Sequence, residues 1–161
     1  MKKEEITMFR EMRRKDKELE NDEIIEILKN NNYGILSTIS ENGHPYGVPI
    51  SYVFFNDSIY FHSAIKGHKL DNISNNDKVS FCVIGQTCIL PEEFNTKYES
   101  VIIFGKAIEV CDDEKDMALL EIINKYSSDY IKEGKEYIEK AGKGTKVIKI
   151  NIEHISGKAE R

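Results

Sequence analysis

Ser58–Ile73 reads S-I-Y-F-H-S-A-I-K-G-H-K-L-D-N-I, and two periodicities meet inside it. Its first half alternates apolar and polar residues, with Ile59, Phe61 and Ser63 on one side and Tyr60 and His62 on the other, the period of a β-strand. From Lys66 onward Leu70 and Ile73 lie three apart, which is helical spacing. Gly67 stands at the junction, where the missing Cβ lets a backbone or a ligand come close. A strand that runs into a helix start presents unpaired N–H groups and the positive end of the helix dipole, an arrangement that binds phosphate. Ser63, Lys66, His68 and Lys69 add a hydroxyl and two or three cations at that point. The stretch reads as the phosphate anchor of a nucleotide-like cofactor.

The rest of the composition makes this basic cluster stand out. The chain has 161 residues, a length that suits a single domain over 1–161 with a core of its own. Charged residues make up 32% and the formal net charge is −5, which argues against a general nucleic-acid or anionic-membrane surface. No apolar run approaches a membrane span, and Met1-Lys2-Lys3 is followed by Glu4 and Glu5 instead of a signal-peptide core, so a cytoplasmic location is expected. Cys82, Cys88 and Cys111 lack C-x-x-C spacing, so neither a disulfide framework nor a metal site is expected.

Outward from the anchor, the chain reads mainly as strands. Met8–Lys17 is a charged stretch, read either as a basic arm over a neighbour or as a solvated tail. Asn21 or Asp22 caps a helix carrying Ile24, Ile25, Ile27 and Leu28. Tyr33–Ser40 alternates, Asn42-Gly43 marks a tight hairpin, and Tyr46–Phe55 returns as one strand, bulged or at an edge near Pro49. Asn56-Asp57 is a second hairpin turn into the anchor. Lys78–Gly85 is a strand, Gln86–Lys97 an irregular loop, and Tyr98–Val110 a long apolar strand in which Gly105 marks a bulge or a close backbone approach. Asp112 or Asp113 caps a helix with Leu119, Ile122, Ile123 and Tyr126 on one side. A second helix spans Asp129–Ala141, weakened by Gly134. Val147–Ile155 is a last strand that puts His154 at the end of a buried face. Six strands without a βαβ rhythm, and no G-x-G-x-x-G after the first, exclude a Rossmann domain and favour a small β-barrel with added helices.

Several blocks occur in a telling order: M-R-R-K-D at Met12–Asp16, G-H-P-Y-G-V-P-I-S at Gly43–Ser51, Y-F-H-S-A at Tyr60–Ala64, G-H-K-L-D-N at Gly67–Asn72, Y-E-S at Tyr98–Ser100, F-G-K-A at Phe104–Ala107 and I-S-G-K at Ile155–Lys158. In that order and spacing the chain resembles the flavin-binding split-barrel proteins of the pyridoxamine 5'-phosphate oxidase family, and within it the 5-nitroimidazole resistance (Nim) group. The resemblance implies a mainly β fold, a six-stranded antiparallel split β-barrel with flanking helices. It also implies an FMN-binding homodimer with each flavin in a cleft between subunits. By position, Val48, Pro49, Ile50 and Ser51 would lie beside the isoalloxazine ring, with His62 and Ser63 at the end of the next strand. Lys66, Gly67, His68 and Lys69 would hold the phosphate, and Ser100 would touch the flavin from the partner chain. Val48 and Val53 stand where the true oxidases carry arginine and lysine, and the S-R-K phosphate motif is reduced to Ile65-Lys66, which speaks against pyridoxamine phosphate oxidation.

The expected function is that of an FMN flavoprotein, an oxidoreductase that passes electrons to a small acceptor such as a nitroaromatic (nitroimidazole) compound, with NAD(P)H a candidate donor. His62 matches a histidine that Nim-type proteins place by the flavin, and is the candidate catalytic proton donor. Two alternatives stay open: a flavin-binding sensor or carrier without turnover, and a haem protein with His62, His68 or His154 as axial ligand.

Overall fold

The computed structural model describes residues 8–161. Among these, seven strands form one antiparallel sheet: β1 (Tyr33–Ile39), β2 (Pro45–Ser51), β3 (Val53–Phe55), β4 (Ser58–Ala64), β5 (Lys78–Leu90), β6 (Asn95–Val110) and β7 (Thr145–Glu160). Their order is β2-β1-β5-β6-β7-β4-β3. β2 and β3 are therefore the two edges of the sheet, yet only Tyr52 separates them in sequence. A flat sheet cannot satisfy that connection, so the sheet curls until its edges face each other across a seam without pairing. This is a split barrel. The expected single strand Tyr46–Phe55 is thus two strands, which is why seven appear instead of six. Pro49 lies on an edge strand, where its missing N–H costs no ladder bond.

The local turns follow their residues. Gly43 has φ 85°, and Asn56 and Asp57 have φ 47° and 52°, the left-handed pair of a tight β3–β4 hairpin. Leu36, Phe61, Phe81, Val83, Val101, Ile103 and Ile150 are fully buried inside the curl, where α1 (Asn21–Asn30) adds Ile24, Ile27 and Leu28. α2 (His68–Asn75) follows β4. α3 (Asp112–Tyr126) covers the other side of the sheet, packing Ala118, Leu119 and Ile122 on Val53, Tyr60, Val110 and Val147. The N-cap position of α3 is Cys111, not either aspartate, and Asp112 takes a positive φ of 51°. α4 (Ile131–Ala141) rests on α3 at Gly134, where a Cβ would lie 2.5 Å from Ile123 Cγ2. Gly134 is thus a contact point more than a weakness. No helix among the described residues is long and apolar enough to cross a membrane.

Three further sequence expectations change. Gln86–Lys97 is no irregular loop: after a register shift between Ile84 and Thr87, β5 and β6 continue pairing to Leu90 and Asn95, joined by a 3-10 turn at Pro91–Glu93. Partner strands imposed the extended form on residues with no alternation of their own. The stretch from Met8 lies on its own sheet. Phe9 stacks on Phe104, Glu18 bridges to Lys158, and Lys17 pairs with Glu160. His154 is not at the end of the buried face. Pairing passes from Gly105↔Ile152 to Phe104↔His154, so Glu153 is an extra residue that reverses the alternation and hands the inward position to Ile155. His154 turns outward, where its ring lies 5.1 Å from that of Phe9.

The same bulge explains Gly105. A Cβ there would lie 2.2 Å from the Asn151 carbonyl oxygen, which is backbone and cannot swing aside. Gly105→Ala should therefore destabilise the fold by about 2–3 kcal/mol, read as a lower urea midpoint at unchanged slope. An unmoved midpoint would mean that β6 and β7 separate at little cost.

Candidate cofactor site

The site begins where β4 hands over to α2. Ile59 and Phe61 point into the core, Tyr60 points the other way beneath α3, and His62 is the first residue of the strand to reach solvent. Ser63 is buried again, and its Oγ has no hydrogen-bond partner. Gly67 then adopts φ 151°, ψ 161°, a region essentially closed to residues with a Cβ, although nothing lies within 4 Å of where one would stand. Backbone direction, not crowding, demands glycine here, and the space above the turn stays open. The Gly67 carbonyl accepts from Leu70 N–H at 2.9 Å and Asp71 N–H at 3.1 Å, so α2 starts at once. The N–H groups that precede a first intrahelical bond are the ones free for an outside acceptor.

The start of α2 is pinned from behind. Asn72 is 3% exposed, and its Nδ2 donates to Thr38 Oγ1 at 2.9 Å and Ser40 Oγ at 3.3 Å. His68 Nε2 lies 3.1 Å from Ser40 Oγ, and its ring sits 4.1 Å from that of Tyr46. These contacts tie α2 to the β1–β2 hairpin, so the helix start and edge strand β2 form one body. His68, expected beside the phosphate, is engaged with Ser40 and Tyr46. Lys66 is exposed and Lys69 half-buried, the two cations beside the turn.

Along β2, Val48 and Ile50 are half-buried against the core, while Pro49 and Ser51 face out. Among the described residues one side of the β2 backbone has no ladder partner, which leaves N–H and carbonyl groups open there. Ser100 is the exception to this gathering. Ala64 pairs with Thr145 and Ser100 with Lys158, so the two are thirteen residues apart along β7, about 40 Å of strand. Within the chain Ser100 does not reach the β4–α2 junction.

Partial burial and the nearby charge of Lys69 lower the His62 pKa, so the imidazole is neutral near pH 7. A neutral ring can offer one donor and one acceptor to a ligand. An orphaned hydroxyl, a glycine-only turn, a free helix start and two cations together fit a phosphate ester, against a chain whose formal net charge is −5. Sequence reading missed Ser40, Tyr46 and Asn72. Asn72 lies off the Leu70–Ile73 stripe, so periodicity gave no signal for its burial; only the packing of α2 on β1 shows it.

The profile of the pyridoxamine 5'-phosphate oxidase family matches residues 20–159. The chain belongs to that family. Solved structures of similar fold include a candidate 5-nitroimidazole antibiotic resistance protein from Bacteroides thetaiotaomicron, 24% identical, covering 89% of this chain and 90% of that one with a TM-score of 0.76. An FAD-binding protein from Mesorhizobium loti is 23% identical over 89% of this chain and 97% of its own, with a TM-score of 0.65. An FAD and haem binding protein from Mycobacterium smegmatis is 17% identical over 90% of this chain and 74% of its own, with a TM-score of 0.80. At these identities the likeness speaks for the family fold. No curated protein matches the chain.

In an NMR titration His62 should protonate below the ordinary histidine midpoint of about 6.5. Because the folded pKa is lowered, this histidine weakens the fold as pH falls through that range, when the unfolded chain binds the proton first. Lys69→Ala should move the His62 midpoint up, and no movement would show that the two groups do not sense each other.

Proposed function

We propose that this protein binds FMN at the β4–α2 junction and along β2, and acts as an oxidoreductase toward a small acceptor such as a nitroaromatic compound. The observation that carries this reading is the junction itself: Gly67 in its glycine-only conformation, opening a helix start flanked by Lys66 and Lys69. Family membership supports it, and two of the similar structures are named as flavin binders. The flavin dinucleotide FAD carries the same riboflavin and first phosphate, and the open turn accepts either. Residues of the chain would divide the work. Lys66, Lys69 and the first N–H groups of α2 grip the phosphate, Ser63 and His68 shape the turn, and Val48–Ser51 offer edge-strand backbone to the ring. His62, neutral and accessible, would donate a hydrogen bond to the ring or acceptor and relay a proton by taking one up from solvent before passing it on.

A second copy of the chain completes the proposal. Pro49, Ile35, Cys82 and Ile102 are aligned by register across β2, β1, β5 and β6 on the outer face, next to exposed Phe104. An apolar row of that width is suited to covering by another subunit, which could also bring Ser100 to the first subunit's site. When bound, the flavin would supply two-electron transfer, in which a hydride from a reduced nicotinamide and one proton from a donor side chain or solvent take a nitro group to a nitroso group and water.

A visible spectrum of the purified protein should show flavin bands, whereas a Soret band would point to haem. Anaerobic NADPH should bleach those bands, and a nitroimidazole should restore them; a yellow protein inert to both would be a carrier. Lys69→Ala should weaken FMN binding at least about tenfold and leave riboflavin binding nearly unchanged, because a charge-assisted contact is worth about 1.5–3 kcal/mol. Equal losses for both ligands would take Lys69 out of the phosphate site.

A further inference from the structure

The C-terminal turn of α3 closes the barrel seam with polar groups that the flavin site does not itself require. Tyr52, the residue between β2 and β3, is fully buried, and its hydroxyl donates to the Leu28 carbonyl at 2.7 Å. Its backbone N–H donates to Tyr126 Oη at 2.9 Å, and that hydroxyl lies 2.8 Å from the Tyr52 carbonyl and also bonds the Asn32 carbonyl. Lys125 Nζ donates to the Asn31 carbonyl at 2.6 Å and to the Tyr52 carbonyl at 3.1 Å, and stands 4.1 Å from the centre of the Tyr52 ring. Both backbone groups of Tyr52, left without a ladder because the strand breaks there, are thus satisfied by two consecutive side chains of α3. The same pair holds Asn31 and Asn32 at the end of α1.

From this we infer that Lys125 and Tyr126 are positioning residues for the cofactor: they fix the seam at Tyr52 and so set where Val48–Ser51 stand. The inference rests on the reading of β2 as the ring-facing strand. Ser51 is the neighbour of Tyr52, and β2 is laddered on one side only, to β1 through Tyr33↔Ser51 at this end, so the clamp at Tyr52 is what holds the strand from the seam side. A stabilising role alone accounts poorly for the ammonium. Half-burial pushes Lys125 down to about 8, so charging it is a cost to the folded state, and by linkage stability rises between about pH 8 and the unfolded lysine value near 10.4. Lys29, Glu121 and Asn124 line the same cleft, and Lys29 shares the sign of Lys125. What the charged amine supplies is direction, two carbonyls gripped on either side of the seam.

The test compares Lys125→Met, Lys125→Arg and Tyr126→Phe in the full chain. Riboflavin and FMN binding are followed by fluorescence quenching, the bound ring by visible circular dichroism, and the seam by amide hydrogen exchange. Lys125→Met should weaken both ligands by a similar factor, about tenfold, and alter the visible dichroism. Exchange should quicken at residues 48–54 while the β6–β7 ladder stays protected. Tyr126→Phe should act in the same direction, and Lys125→Arg should restore most of the affinity. Wild-type affinity and dichroism in Lys125→Met, or exchange raised evenly across the sheet, would overturn the inference. If the wild-type chain binds no flavin, the cofactor reading fails by itself, and the exchange pattern alone decides: local opening at residues 48–54 upholds the clamp and its absence removes it.

Discussion

Ser51 and Val53 belong to strands at opposite ends of one sheet, and a single residue joins them. That covalent constraint forces the sheet to curl, and nearly everything else in the molecule answers to it. The curl encloses the core of Leu36, Phe61, Phe81 and Ile103, and leaves a seam where backbone groups have no ladder. Desolvated backbone groups without partners are costly, so the seam has to be closed by side chains. Tyr52, Lys125 and Tyr126 supply that closure, binding the ends of α1 and α3 to the same point.

The seam also accounts for the setting of the candidate site. Because β2 is an edge, its backbone remains open on one side, and because the sheet curls, α2 after β4 comes to rest beside the β1–β2 hairpin. The contacts of Asn72 and His68 with Thr38, Ser40 and Tyr46 lock that approach. A glycine turn flanked by two cations and an open strand edge are thereby held in one frame, as the proposed ligand, with its charged tail and flat ring, would require. Lys66, exposed, and Lys69, half-buried, put a local positive charge at the turn of a chain whose formal net charge is −5.

Much of this was legible before any coordinates. The strand–turn–helix reading of Ser58–Ile73, the hairpins at Asn42-Gly43 and Asn56-Asp57, the edge position of Pro49 and the close backbone approach at Gly105 all hold. Each depends on a local preference: a residue that tolerates positive φ, one that lacks an N–H, or an alternation over a few neighbours. The β5–β6 hairpin, the outward turn of His154 and the seam clamp were not legible. Residues 86–97 show no strand pattern, and a single extra residue, Glu153, reverses the face of everything beyond it.

By itself, then, the sequence determined the kinds of element, most of their turns, and the cationic glycine turn that marks the candidate phosphate anchor. Short-range backbone sterics decide such features within a few residues. Only the tertiary structure decided that strands consecutive in the chain stand at opposite ends of the sheet. It alone placed Lys125 over Tyr52, 73 residues away, and left Ser100 far from the β4–α2 junction. Those outcomes depend on strand order and register between distant segments, which are selected by the burial of the whole core and leave no trace in the spacing of neighbouring residues.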